Sequence, residues 1–99
     1  MDPQPEGEIG IWGQRRKKYL KAHRKGTYNA MLLQSTLTQH LNDTNTAAFN
    51  LMDTIIRQIA KAEGVTEELK RRDQIGWVDR MNSIRSRTEE IVRNELIYV

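Results

Sequence analysis

The chain of 99 residues has 37% hydrophobic residues and a formal net charge of +3, which predicts a single small domain with a thin core. The absence of cysteine excludes disulfides and thiolate metal sites. No apolar run approaches the ~18 residues that span a bilayer, and the N-terminus lacks the apolar core of a signal peptide. We therefore expect a cytoplasmic protein without membrane contact, whose thin core is supported by a partner or by a homodimer.

The charge is distributed unevenly along the chain. Residues 1–9 contain three acidic residues, whereas residues 10–26 contain seven basic residues and no acidic one. The first ten residues also include two prolines and two glycines. We predict a disordered lead over residues 1–10 and a single helical domain over residues 11–99.

The first helix is predicted over residues 14–25, with Gly26 as its C-terminal stop. Most of its basic side chains share one face of the helix. The opposite side carries Trp12, Tyr19, Leu20 and His23. A row of positive charges on one face can neutralise phosphates and release counterions, so this face is the strongest functional signal. The predicted binding residues are Arg15, Arg16, Lys17, Lys18, Lys21, Arg24 and Lys25.

Other interpretations of the basic face stay open. It could bind an acidic groove of another protein, or it could be a solvated surface that only keeps the protein soluble. A role at a membrane surface is less favoured, because the apolar side of the helix is thin.

A second helix is predicted over residues 27–41, capped by Thr27, with apolar residues on two opposite sides. A turn at residues 42–45 precedes a third helix over residues 45–63, which Gly64 should end. The third helix has the clearest apolar face in the chain. That face consists of Ala48, Met52, Ile55, Ile56 and Ile59.

A long fourth helix is predicted over residues 66–97, capped by Thr66. The connection from the third helix is about two residues long, so the two helices should be antiparallel neighbours. Gly76 lies inside the fourth helix, where it costs about 1 kcal/mol relative to alanine and favours a kink. The sequence thus predicts an all-α fold, a small four-helix protein built on an antiparallel helical hairpin with a long C-terminal helix.

Two segments resemble a known family. Residues 60–99 read AKAEGVTEELKRRDQIGWVDRMNSIRSRTEEIVRNELIYV, and residues 12–33 contain an R-K-x-Y-L-x-x-H-R pattern. The residues that carry this pattern are Arg16, Lys17, Tyr19, Leu20, His23 and Arg24. In order and spacing they resemble the transposon-encoded TnpV family, small proteins encoded on bacterial mobile genetic elements. The resemblance implies an accessory role in movement of the element, and the chain departs from the expected pattern at Gly76.

The sequence shows no catalytic or metal-binding motif. His23 and His40 are the only histidines, and neither has a partner at a typical metal-ligand spacing. Glycine-rich phosphate loops and serine elbows are also absent. We therefore expect a protein that is not an enzyme and that holds no metal and no cofactor.

Three functional hypotheses follow, of which the third is a purely structural dimerisation module. In the first, the chain is an accessory protein of a mobile element that binds nucleic acid or a nucleoprotein complex through its first helix. In the alternative, it is a small anti-defence protein, similar to anti-CRISPR proteins, that inhibits a nucleic-acid-handling nuclease by protein–protein contact. No Asn-Gly or Asp-Gly hairpin signal is present, so any contact with DNA should be made by helices.

Overall fold

A computed structural model describes the backbone of residues 5–99 and the side chains of residues 10–99. This part of the chain contains α-helices and no strand, which confirms the predicted all-α class. The helices are α1, Pro5–His23; α2, Lys25–Leu33; α3, Leu37–Ala62; α4, Glu67–Arg72; and α5, Gln74–Val92; a π-helical turn follows at Arg93–Ile97. Residues 1–4 of the predicted disordered lead over residues 1–10 lie outside the described residues, and the backbone of residues 5–10 belongs to α1. No helix of the described range is long and apolar enough to cross a bilayer.

The central helix is α3, and both α1 and α5 pack against it. α1 runs antiparallel to the N-terminal half of α3, because Trp12 meets Asn45 whereas Leu20 meets Leu37. These contacts bury one side of α1 and leave its other side to solvent. The packing of α1 therefore decides which of its basic residues are accessible.

The helix α1 is interrupted at Gly10, whose φ of 82° and ψ of 171° are not helical. A Cβ atom at Gly10 would lie 2.6 Å from Oδ1 of Asn45, so only glycine allows this close approach. Asn45 Oδ1 accepts the backbone N–H groups of Trp12 at 3.1 Å and Gly13 at 3.4 Å. A residue of α3 thus caps the basic part of α1 and fixes its rotation.

The predicted helical hairpin is present and consists of α3, α4 and α5. α3 ends just before Gly64, which has a φ of 73°, and Thr66 Oγ1 accepts the N–H of Leu69 at 3.3 Å. α5 then returns along α3, so that Val92 packs with Ala48. The two predicted boundaries of the hairpin turn are confirmed, and both are determined by local capping chemistry.

The fourth helix is broken, where the sequence predicted one helix over residues 66–97. The break lies at Asp73, whose φ of −148° and ψ of 83° separate α4 from α5. Asp73 Oδ1 accepts the N–H of Gly76 at 3.0 Å and so caps α5. A Cβ atom at Gly76 would collide with the Asp73 carboxylate, which explains the glycine at this position.

The boundaries of the first three helices also differ from the prediction. α1 ends at His23 and α2 begins at Lys25, so Gly26 is not a stop and Thr27 is not a cap. Residues 42–45 are helical rather than a turn. The reason is that buried Leu37 and Ala48 lie on either side of this segment in one helix, and packing outweighs local turn preference.

The interior is divided into three small apolar clusters. The first contains Leu20 and Leu41, the second Trp12 and Val92, and the third Ile84. The molecule measures 54 × 32 × 17 Å, and its radius of gyration is 16.9 Å. A compact domain of this length has a radius of gyration of only about 13 Å. The expected support of the thin core by a partner or a second copy stays a prediction.

Candidate nucleic-acid interface

The structure divides the seven predicted binding residues by their exposure. Four of them lie on the solvent side of α1 and at the start of α2, and we call these the outer cations. The outer cations are Lys18, Lys21, Arg24 and Lys25. Arg15 and Lys17 are half-buried, and Arg16 is buried. The basic helix therefore has an accessible face, but not every predicted residue belongs to it.

The outer cations are not neutralised by the described part of the protein. Among the side chains of residues 10–99, no carboxylate forms an ion pair with any of the four. The ammonium of Lys21 lies 5.9 Å from the ring centroid of Tyr28, which orients it along the surface. Exposed cations that no carboxylate neutralises are available to an external anion.

Arg16 has a different role from the one predicted. It is 8% exposed, and its Nη1 donates to the backbone oxygens of Ile97 at 2.7 Å and Val99 at 2.9 Å. Its Nε donates to Nε2 of His40 at 3.3 Å. Burial is the main cause that lowers the pKa of Arg16 below its ordinary value. Arg16 therefore joins α1, α3 and the end of the chain, and it does not present its charge to solvent.

The sequence contained a signal for the burial of Arg16. It lies four residues after Trp12 and four before Leu20, so all three side chains project from the same side of the helix. Trp12 and Leu20 were correctly assigned to the inner side, and they are 3% and 0% exposed. The spacing alone therefore places Arg16 between two buried residues.

Arg15 lies at the edge of the accessible face. Its guanidinium carbon is 4.6 Å from the ring centroid of Trp12, and its Nη1 is 4.0 Å from Oε1 of Glu89. Arg93 approaches the same carboxylate oxygen at 3.4 Å. Glu89 thus lies between two arginines and partly neutralises both.

Next to Lys18 the surface forms a cleft of about 370 Å³ between α1 and residues 93–99, which we call the C-terminal segment. We call it the aromatic–basic cleft. Its lining consists of Arg15, Lys18, Tyr19, Ala22, His23, Arg93 and Tyr98. The Tyr19 ring lies 5.1 Å from the His23 ring and 5.5 Å from the Tyr98 ring, measured between centroids. Sequence reasoning missed Arg93 and Tyr98, because only the fold brings them beside α1.

The two histidines differ in environment. His23 contacts the Tyr19 ring but is exposed, although the helical spacing assigned it to the side opposite the basic face, together with the buried Trp12 and Leu20. His40 is half-buried, and burial is the largest cause that lowers its pKa below the ordinary value, followed by the charge of Arg16. Over the described residues, no cluster of three or more His, Asp or Glu side chains is placed to hold a metal ion.

Comparison with known proteins identifies the family. The family model described as transposon-encoded protein TnpV matches residues 1–97, which is nearly the whole chain. No curated protein sequence and no solved structure shows significant similarity to this chain. The match includes residues 12–33 and all but the last two residues of the segment 60–99, the two segments that carry the resemblance noted in the sequence. The chain belongs to the family of transposon-encoded TnpV proteins.

Proposed function

We propose that this protein is a non-enzymatic accessory factor of a bacterial mobile genetic element that binds nucleic acid, free or in a nucleoprotein complex, in the cytoplasm. The outer cations are the contact surface. The single observation that carries the proposal is that Lys18, Lys21, Arg24 and Lys25 are exposed together and have no carboxylate partner among residues 10–99. The family supports it, since its members are encoded on transposons, whose movement is a reaction of DNA.

The physical basis of binding is counterion release. Each phosphate that a cation neutralises frees condensed ions, so the affinity for duplex DNA falls with salt at a slope of about −0.9 per contact on logarithmic axes. If all four outer cations contact phosphates, the slope should be about −4. Contacts of this kind carry no base information, and we expect weak discrimination between duplex sequences.

The test is a titration of labelled DNA by fluorescence anisotropy at several salt concentrations. A triple variant, Lys18→Gln, Lys21→Gln and Arg24→Gln, should lower the affinity and reduce the slope by about 3. A control triple variant, Lys61→Gln, Arg72→Gln and Arg85→Gln, removes the same charge from exposed positions elsewhere and should bind nearly as wild type does. Equal losses in the two triple variants would show a general charge effect and contradict the proposal.

The anti-defence hypothesis predicts a different outcome. A protein partner would stay bound to the tagged chain after nuclease treatment of a lysate, whereas a partner bridged by DNA or RNA would be lost. A nuclease-resistant partner, together with no binding to purified DNA or RNA, would replace the proposed function by a protein-directed one.

A further inference from the structure

We propose that the aromatic–basic cleft stacks an unpaired nucleobase, and that the protein therefore prefers single-stranded nucleic acid to duplex. The inference rests on the proposed function, because the outer cations supply the contacts to the phosphates. It adds a substrate class, which neither the family nor the charge of α1 specifies.

The cleft has the chemistry that base stacking requires. Tyr98 is 49% exposed, His23 is exposed and Tyr19 is half-buried, so three ring systems in contact reach the surface at one place. The cleft of about 370 Å³ is open to solvent, so a base can enter it directly from the surface. Aromatic side chains beside a cationic surface are the usual arrangement of proteins that bind single strands.

The cations around the rings would let a bound single strand of nucleic acid continue from the cleft along the basic face of α1. Lys18 lines the cleft and is also one of the outer cations, so the two surfaces are continuous. Arg15 and Arg93 lie on the cleft wall, with Glu89 between them and Glu90 at 4.0 Å from Arg93. Counted together with Lys18, the three cations exceed the two carboxylates by one positive charge, which favours a phosphate next to the stacked base.

A duplex cannot use this cleft in the same way. Inside a duplex both faces of a base are covered by its neighbours, and exposing one requires unstacking that costs a few kcal/mol. In a single strand the faces of the bases can be exposed with a much smaller free-energy cost. Any of the bases can stack on an aromatic ring, because each has a π-face. The geometry therefore predicts a preference for single strands without a strong preference for sequence.

The position of Tyr98 depends on two features of the C-terminal segment. The N–H of Tyr98 donates to the Arg93 oxygen at 2.9 Å and closes the π-helical turn, which fixes the backbone of Tyr98 relative to the end of α5. Arg16 donates to the backbone oxygens of Ile97 and Val99, the residues on either side of Tyr98. Arg16 is thus a positioning residue, which holds the segment that carries the ring.

The experiment compares a single-stranded DNA of about 12 nucleotides, within the usual site sizes of single-strand binders, with the duplex of the same sequence. Wild type should bind the single strand more tightly. Tyr98→Leu, which removes the π-face but keeps an apolar side chain, should weaken single-strand binding about tenfold, since stacking contributes roughly 1–3 kcal/mol per base. The same variant should change duplex binding little.

Two control variants separate stacking from loss of structure. Tyr98→Phe keeps the ring and should bind the single strand nearly as wild type does. Phe49→Leu removes another exposed aromatic ring, 52% exposed on α3, and should have no effect on binding. Circular dichroism and thermal unfolding of each variant report whether the fold is kept.

The outcomes distinguish failure of the stacking proposal from failure of the proposed nucleic-acid binding by the outer cations. If wild type binds both DNAs equally and Tyr98→Leu changes neither affinity, the cleft proposal is overturned while the role of the outer cations stands. If wild type binds neither DNA, both proposals fail. A single-strand preference that Tyr98→Leu removes and Tyr98→Phe retains supports the stacking site. Because the preference is measured in wild type, the proposal stays testable even if a variant does not fold.

Discussion

Two arginines at the hairpin end of this elongated molecule are paired with carboxylates, whereas the outer cations at the α1 end have no carboxylate partner among residues 10–99. At the hairpin end, formed by the C-terminal part of α3, by α4 and by the part of α5 that packs against them, Arg87 donates to the two carboxylate oxygens of Glu63 at 2.9 and 3.1 Å. This hydrogen bonding is the main cause that lowers the pKa of Glu63 below its ordinary value. Arg57 pairs with Asp53 at 2.6 Å. At the α1 end, the outer cations have no such partner among residues 10–99.

The difference shows that the number of basic residues does not by itself indicate a binding surface. The outer cations are distinguished by being exposed together on one surface without a carboxylate partner among residues 10–99. Within α1 the same distinction separates neighbours, because Arg16 satisfies internal acceptors while Lys18, two residues later, faces solvent.

The largest expected effect is on stability, and it concerns Arg16. Arg16→Ala leaves two backbone oxygens and His40 without their donor. Hydrogen bonds to charged groups are worth roughly 1.5–3 kcal/mol each, so we expect the free energy of unfolding to fall by about 3 kcal/mol. Denaturant unfolding followed by circular dichroism measures this loss.

The matched control for Arg16 is Arg87→Ala at the hairpin end. Arg87 makes its ion pair with Glu63 at the exposed surface, where such pairs contribute little. The free energy of unfolding should therefore fall clearly less in Arg87→Ala than in Arg16→Ala. Equal losses for the two variants would contradict the distinction between a buried connecting arginine and an exposed one.

An intermediate effect is expected on affinity, and it concerns Glu89. Glu89→Gln removes the carboxylate that lies between Arg15 and Arg93, so both arginines become available to phosphates. Affinity for single-stranded DNA should rise about two- to fivefold, since surface charge interactions are worth roughly 0.2–1 kcal/mol. Anisotropy titrations at low salt, where screening is weakest, measure the gain.

The control for Glu89 is Glu63→Gln, which also removes one negative charge and frees Arg87 at the hairpin end. If the α1 end is the binding surface, this variant should show little or no gain. A gain as large as that of Glu89→Gln would indicate that net charge, and not position, determines the affinity.

The smallest expected effect is a pH dependence of stability from His40. Burial and the Arg16 charge lower its pKa in the folded protein, so the unfolded chain binds a proton more readily. This contribution to stability is complete above the unfolded pKa of about 6.5 and is lost as the pH falls toward the lowered folded pKa. Unfolding free energies at about pH 7.5 and about pH 5.5 should differ less in His40→Gln than in wild type. If the free energy of unfolding differs between the two pH values as much in His40→Gln as in wild type, His40 is not the titrating group.

The sequence predicted well those features that depend on neighbouring residues. The hairpin turn follows from Gly64 and Thr66, whose backbone and side-chain chemistry acts within a few residues. The basic face of α1 follows from helical spacing, and Lys18 and Lys21 are exposed as that spacing indicates.

Features that depend on distant residues could not be predicted in the same way. Asn45 was placed in a turn, yet it lies within α3 and caps α1 from 33 residues away. Tyr98 joins Tyr19 only because the end of α5 returns to α1. The sequence analysis placed the break at Gly76, three residues too late. The break lies at Asp73, and the residue at position 76 is glycine because a Cβ atom there would collide with the Asp73 carboxylate that caps α5.

The central claim is that the α1 end, and not the hairpin end, meets the nucleic acid. The most direct measurement is an NMR titration of the isotope-labelled protein with single-stranded DNA. We expect the amide shifts of Lys18, Lys21, Arg24 and Tyr98 to change and those of Arg57 and Arg87 to stay unchanged. Changes concentrated at the hairpin end, or none at the α1 end at saturating DNA, would contradict it.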